Sequence, residues 1–88
     1  DLRYQLQFLD LLKRLNNEQE LTIITVIHDL NLAARYCDRI AVIKDGELLA
    51  IDKPREVLTH ELLKKAFQLE TCQIETPIGL QVCAVKSC

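Results

Sequence analysis

The sequence predicts an α/β fold that is incomplete as a domain, combining buried strands of the parallel-sheet kind with a β-hairpin and short helices. Three observations carry this. A helical stretch leads into Leu21–Ile27 (LTIITVI), whose β-branched, unalternating composition is that of a strand covered on both faces. A helix followed by such a strand is half of a β-α-β unit, whose partner strand is expected before Asp1. The 88 residues also contain no Met, so a chain starting at Asp1 has no translation start of its own and is expected to be a processed chain or a fragment.

From Leu2 to about Asn16, Tyr4, Phe8, Leu11, Leu12 and Leu15 recur at three- and four-residue steps and share one helix face. Leu2, Leu6 and Leu9 form a second apolar strip, as expected of a helix sandwiched between two layers. After the strand, Asp29 is placed to cap a helix whose narrow apolar face is Leu30, Ala33 and Ala34, ending near Cys37. Arg39–Lys44 and Glu47–Ile51 are strands joined by Asp45-Gly46, a two-residue hairpin signal. Pro54, with Glu56 nearby, suits a first helical turn. Thr59 caps a further helix through Glu61, Leu62, Leu63 and Phe67. Thr71–Glu75 and Leu80–Val85 are strands around a turn holding Pro77 and Gly79. There is no internal repeat.

Composition narrows the function. Hydrophobic residues make up 49% of the chain and the net charge is −2, which excludes a disordered segment and favours neither nucleic acid nor anionic lipid. No apolar run approaches the roughly 18 residues a membrane-spanning helix needs. The four Cys, at 37, 72, 83 and 88, form no C-x-x-C pair and read as reduced thiols. A chain this short buries roughly 60–65% of its surface on folding, and one whose central strand lacks its neighbour is expected to be partly folded or aggregating in isolation.

His28 is the residue singled out for chemistry. It stands where a buried strand ends and a helix begins, the position at which open α/β sheets bind ligands. The alternative is a histidine satisfied locally by backbone or by Asp29, itself read as a helix cap. Metal ligands drawn from His28, Asp29, Cys37 and Asp38, or from Cys83 and Cys88, lack the paired spacing of structural zinc sites, and no metal is expected. His60, beside the Thr59 cap, reads as solvated. There is no nucleophile elbow and no carboxylate pair, and two Gly are too few for a phosphate-cradling loop.

The run His28–Leu63, HDLNLAARYCDRIAVIKDGELLAIDKPREVLTHELL, resembles the segment after the catalytic core of the ATP-binding subunits of ABC transporters. HDLNLAARYCDRI resembles the switch-histidine motif, KDGELLA the hairpin after it, and KPREVLT the following turn and helix. With its late TPIG turn, the chain is most similar to importers of iron-siderophores, haem or cobalamin. The resemblance implies the C-terminal portion of a P-loop NTPase (ABC ATPase) fold, divided as 1–20, a helix after the D-loop; 21–67, the switch-histidine region with its hairpin and helices; and 68–88, a C-terminal hairpin. It implies that His28 hydrogen-bonds the γ-phosphate of ATP and that Asp1 is the D-loop aspartate at the interface between two ATPase subunits, although helix capping accounts for Asp1 equally well. Asp52 and Gln68 stand where Gly is common in that family.

The resemblance further implies, for an intact subunit, ATP and Mg as cofactors, a head-to-tail dimer with a second ATP-binding subunit, membrane permease partners, indirect work with a periplasmic or surface binding protein, and a peripheral place on the cytoplasmic face of the membrane. The Walker A, Q-loop, signature and Walker B motifs are expected before Asp1, so the 88 residues alone are expected to be inactive. The competing readings are a small non-enzymatic interaction or regulatory module, or an inactive remnant. Coding DNA upstream of Asp1 separates them: an in-frame G-x-x-x-x-G-K-[ST] marks a truncated ATPase, and a start codon directly before Asp1 marks a module or remnant.

Overall fold

The computed structural model describes residues 1–87; Cys88 lies outside the described residues. Four helices and four strands follow in the order α1 (Leu2–Gln19), α2 (Leu30–Tyr36), β1 (Ile40–Lys44), β2 (Glu47–Asp52), α3 (Pro54–Val57), α4 (His60–Phe67), β3 (Leu69–Thr76) and β4 (Gly79–Ser87). The strands form two separate antiparallel hairpins, β1–β2 and β3–β4.

Both hairpins are shaped by their turns. Asp45 and Gly46 take positive φ (51° and 78°), the backbone twist that lets two residues join right-twisted strands. In β2, Val42 faces Ala50 and Ile43 faces Leu48, so Leu49 is an extra, bulged residue. The bulge lets the adjacent residues Leu49 and Ala50 both reach the core. The second hairpin turns at Pro77-Ile78, where the Thr76 hydroxyl accepts from the Ile78 amide at 3.3 Å and donates to the Gly79 carbonyl at 2.7 Å.

The core gathers at the α3–α4 corner. Val57, Leu58 and Leu63 are almost completely buried, with Val42 from β1, Ala66 from α4, and Leu80 and Val82 from β4 packed around them. Pro54 starts α3, and the Thr59 hydroxyl caps α4 by accepting from the Leu62 amide at 3.2 Å. Gln68 closes α4 in the left-handed region at φ 57°, where Gly is the unstrained residue. Asp52, the other expected glycine position, needs no positive φ; it ends β2, and its carboxylate accepts from the Lys53 amide at 2.7 Å.

The N-terminal third departs from the sequence reading. Helix α1 runs three residues past Asn16, and its inward side is Leu9 with half-buried Leu6 and Leu12. Of the expected face, Tyr4, Phe8 and Leu11 are exposed, while Leu12 and Leu15 are half-buried. No parallel pair of strands occurs among the described residues: Leu21–Ile27 has no regular secondary structure, with Ile24 94% and Val26 81% exposed. A strand requires a neighbour to take its backbone N–H and C=O groups, and neither two-stranded hairpin pairs an outer edge with this segment. The result is elongated, with extents of 41 × 28 × 23 Å and a radius of gyration of 13.6 Å against about 12 Å for a compact chain of this length.

Thermolysin, which cuts before exposed aliphatic residues, is expected to cleave first within Leu21–Ile27 and to leave 30–87 protected, as judged by mass spectrometry of the early fragments. First cuts within α4 or β4 would contradict this arrangement.

Candidate functional site

Helix α2 begins where Asp29, in extended conformation, turns its carboxylate back to accept from the amides of Asn31 (2.9 Å) and Leu32 (3.1 Å). Asp29 is thus the expected helix cap, and its anionic charge sits at the positive end of α2. His28 directly precedes this cap at the end of the irregular segment, with its side chain exposed. Among the described residues the histidine that does hydrogen-bond is the other one. His60, exposed at the start of α4, places Nδ1 3.2 Å from the Thr71 carbonyl, so Nδ1–H donates to β3 and the ring is more than a solvated side chain.

Asn31 fixes the site to the fold. Its Nδ2 donates to the Val82 carbonyl at 3.2 Å and its Oδ1 accepts from the Val82 amide at 2.6 Å. The side-chain amide therefore pairs with β4 as a neighbouring strand would, satisfying both main-chain groups of one residue on an otherwise open edge. The partners are 51 positions apart, so helical periodicity carries no trace of this contact. At the other end of α2, the Tyr36 hydroxyl donates to Asp10 at 2.7 Å, tying α1 to α2, and that bond holds the phenol above its ordinary pKa. Cys37 ends α2 half-buried; burial, then the neighbouring Asp38 carboxylate, push its thiol pKa up and keep it protonated, against the opposing effect of Lys13. Lys13 itself pairs with Asp38 at 2.9 Å.

Asp1 caps α1, its Oδ1 accepting from the Arg3 amide at 2.8 Å. No hydrogen bond or ion pair joins Asp1 to His28 among the described residues, and neither lines either of two shallow surface depressions, one beside Lys44 and Lys65 and one between α4 and the β3–β4 hairpin. His28, Asp29, Cys37 and Asp38 do not gather into a metal-holding group among the described residues. Of the Cys83 and Cys88 pair, Cys88 lies outside the described residues. The site thus offers one exposed imidazole at the N-terminal end of a short, firmly capped helix. That suits one hydrogen bond to an anionic oxygen. It does not build a nucleotide site, because Asp29 already holds the Asn31 and Leu32 amides and both glycines are spent in hairpin turns or at their edge.

Comparison with known proteins agrees with this partial character. No family model matches the chain. Over 76 residues it is 46% identical to the petrobactin import ATP-binding protein FpuD of Bacillus anthracis, covering 86% of this chain and 28% of that protein. It is 43% identical over 67 residues to the hemin import ATP-binding protein HmuV of Burkholderia thailandensis, covering 76% of this chain and 25% of the relative. To the ferric enterobactin transport ATP-binding protein FepC of Escherichia coli it is 35% identical over 79 residues, covering 90% and 29%. The chain therefore spans a little over a quarter of the length of these relatives. A solved structure described as a metal-chelate type ABC transporter in an inward-facing conformation matches 97% of this chain and 34% of its own, with a TM-score of 0.78 at 23% identity. The fold is that of part of such a chain.

Asn31→Ala strips both partners from the Val82 main chain, a loss of about 1–3 kcal/mol. Hydrogen exchange is expected to show the Val82 amide exchanging about tenfold faster or more, with amides of α4 unchanged; an unaltered Val82 amide would mean that the clasp contributes nothing.

Proposed function

We propose that this chain, a homologue of one part of the ATP-binding subunits of ABC transporters for siderophores and haem, is the segment of such a subunit that presents a hydrogen-bond donor to the γ-phosphate of ATP. The intact subunit then couples ATP hydrolysis to uptake of an iron-siderophore or similar metal chelate. The observation that carries this reading is the presentation of His28: an exposed imidazole set directly before an Asp-capped helix whose Asn31 clamps it to β4.

Phosphoryl transfer spreads negative charge over the equatorial oxygens of the transferred group, and a fixed imidazole donor at that point stabilises the charge as it develops. His28 supplies that donor. Asp29 and Asn31 act through position: one fixes where α2 begins and the other where α2 lies, so the imidazole is held by the packed part of the fold although its own segment is irregular. Bound with ATP, a Mg ion would supply further neutralisation of phosphate charge, and its ligands and the phosphate loop are to be sought outside these residues. Asp1, exposed at the start of α1, is the residue we assign to the contact with a second ATP-binding subunit; its cap bond uses Oδ1 and leaves Oδ2 for a partner. The division into 1–20, 21–67 and 68–88 follows the same reading, as do the permease partners, the indirect link to a periplasmic or surface binding protein, and the peripheral cytoplasmic location. No helix among the described residues is long and apolar enough to cross a membrane, so on this reading attachment runs through those partners.

In the full-length subunit assembled with its permease, His28→Ala is expected to lower ATP hydrolysis and transport by a factor of about 10²–10³, the usual effect of losing one preorganised donor. ATP binding should stay within a few-fold of wild type. Turnover at the wild-type rate would sink the assignment. The purified 88-residue chain is expected to show no Mg-dependent ATP hydrolysis, and a measurable turnover abolished by His28→Ala would reverse that conclusion.

A further inference from the structure

We propose that Cys72 and Cys83 form a redox-active dithiol that a low-molecular-weight disulfide closes into a cross-strand disulfide and the corresponding thiol reopens. The two residues are eleven positions apart in sequence but directly opposite in the β3–β4 register. Both are free and exposed. Thr71, Leu80 and Val82 turn inward and are buried, so by strand alternation both Cys side chains stand on the outward face.

The clasp described above fixes the type of pair. Both main-chain groups of Val82 go to Asn31 and so point away from β3, which makes Gln73–Val82 a non-hydrogen-bonded pair. One step along, Cys72 and Cys83 are therefore a hydrogen-bonded pair, with Cα atoms about 5.5 Å apart, inside the spacing that disulfides adopt. Their Cβ atoms, about 5.5 Å apart in such a pair, must close by about 1.5–2 Å to reach a disulfide's Cβ spacing. The bond so formed is strained and exposed, which puts it among labile, reversible disulfides.

The exchange balances in two steps. One Cys thiolate attacks the small disulfide, whose S–S bond breaks and releases one small thiol, leaving a mixed disulfide. The second Cys thiolate then attacks the protein sulfur of that bond and expels the second small thiol. The two protein thiols lose two protons and two electrons; the small disulfide gains both.

The test oxidises the full 88-residue chain with glutathione disulfide under native conditions, alkylates the remaining thiols, digests with trypsin and weighs the peptides. Lys65 and Lys86 bound a single tryptic peptide, 66–86, that contains both residues. The expected main product is this peptide lighter by two hydrogens and unalkylated, returning to two alkylated thiols after reduced glutathione alone is added. Two alkylated thiols after oxidation, two glutathione adducts, a Cys83 link to the terminal Ser87-Cys88 dipeptide, or a disulfide that survives glutathione would each overturn the proposal. A parallel sample in guanidinium sets the unfolded reference, in which loop entropy favours the shorter Cys83–Cys88 closure; a native pattern matching it would count against the register. In the double variant Cys83→Ser/Ala84→Cys the thiol moves to the other face of the sheet, and the intrapeptide disulfide is expected to disappear. Its persistence would overturn the geometric basis.

Discussion

The burial of Val57, Leu58 and Leu63 at the α3–α4 corner is the constraint on which the rest of the fold depends. These are the largest fully buried side chains, each contributing about 1.5–3 kcal/mol by leaving water. Two antiparallel hairpins that never pair with each other come together because each lends side chains to this corner: Val42, Leu49 and Ala50 from the first, Leu80 and Val82 from the second. The corner exists because Pro54 starts one short helix, Thr59 caps the next, and the chain between them turns Leu58 inward. Surface ion pairs such as Lys64–Glu70 and Lys86–Glu70, near 4 Å and solvent-exposed, contribute little beside it.

The segment that ends in His28 is attached to this core at one remove. Leu30 and Ala34 pack α2 against the core, but the polar contact that sets its position is the Asn31 amide on the Val82 main chain. A hydrogen-bonded clasp of this kind is directional where apolar packing is not, so it fixes position along the strand as well as proximity. The same clasp shows that the Val82 main-chain groups face away from β3, which identifies Cys72 and Cys83, one step along the register, as a pair that exchanges main-chain bonds. One polar side chain on α2 thereby links the segment presenting His28 to the geometry of the distal hairpin.

Much of this was legible along the chain. Asp29, Thr59, Pro54 and Asp45-Gly46 announced three helix starts and a hairpin correctly, because capping and turn chemistry act within a few residues. The resemblance of His28–Leu63 to ABC transporter ATP-binding subunits carried the fold class, which the structural likeness bears out. Leu21–Ile27 read as a buried strand and is exposed and irregular, because composition records what a segment is suited to pair with and not whether the partner is there. The apolar strip of Tyr4, Phe8 and Leu11 is uncovered for the same reason. C-x-x-C spacing carries no trace of the Cys72–Cys83 juxtaposition, which lies four residues outward along each strand from the ends of the TPIG turn.

By itself the sequence determined where helices start, where hairpins turn, and that His28 stands just ahead of a capped helix, since each depends on backbone preferences and hydrogen bonds reaching no more than four residues. Only the tertiary structure decided that Asn31 clamps α2 to β4 across 51 positions and that two cysteines in no recognisable motif face one another. It also decided that the central apolar segment stays unpaired. These outcomes rest on which main-chain edges remain open once the core has closed, and no local pattern of residues encodes that.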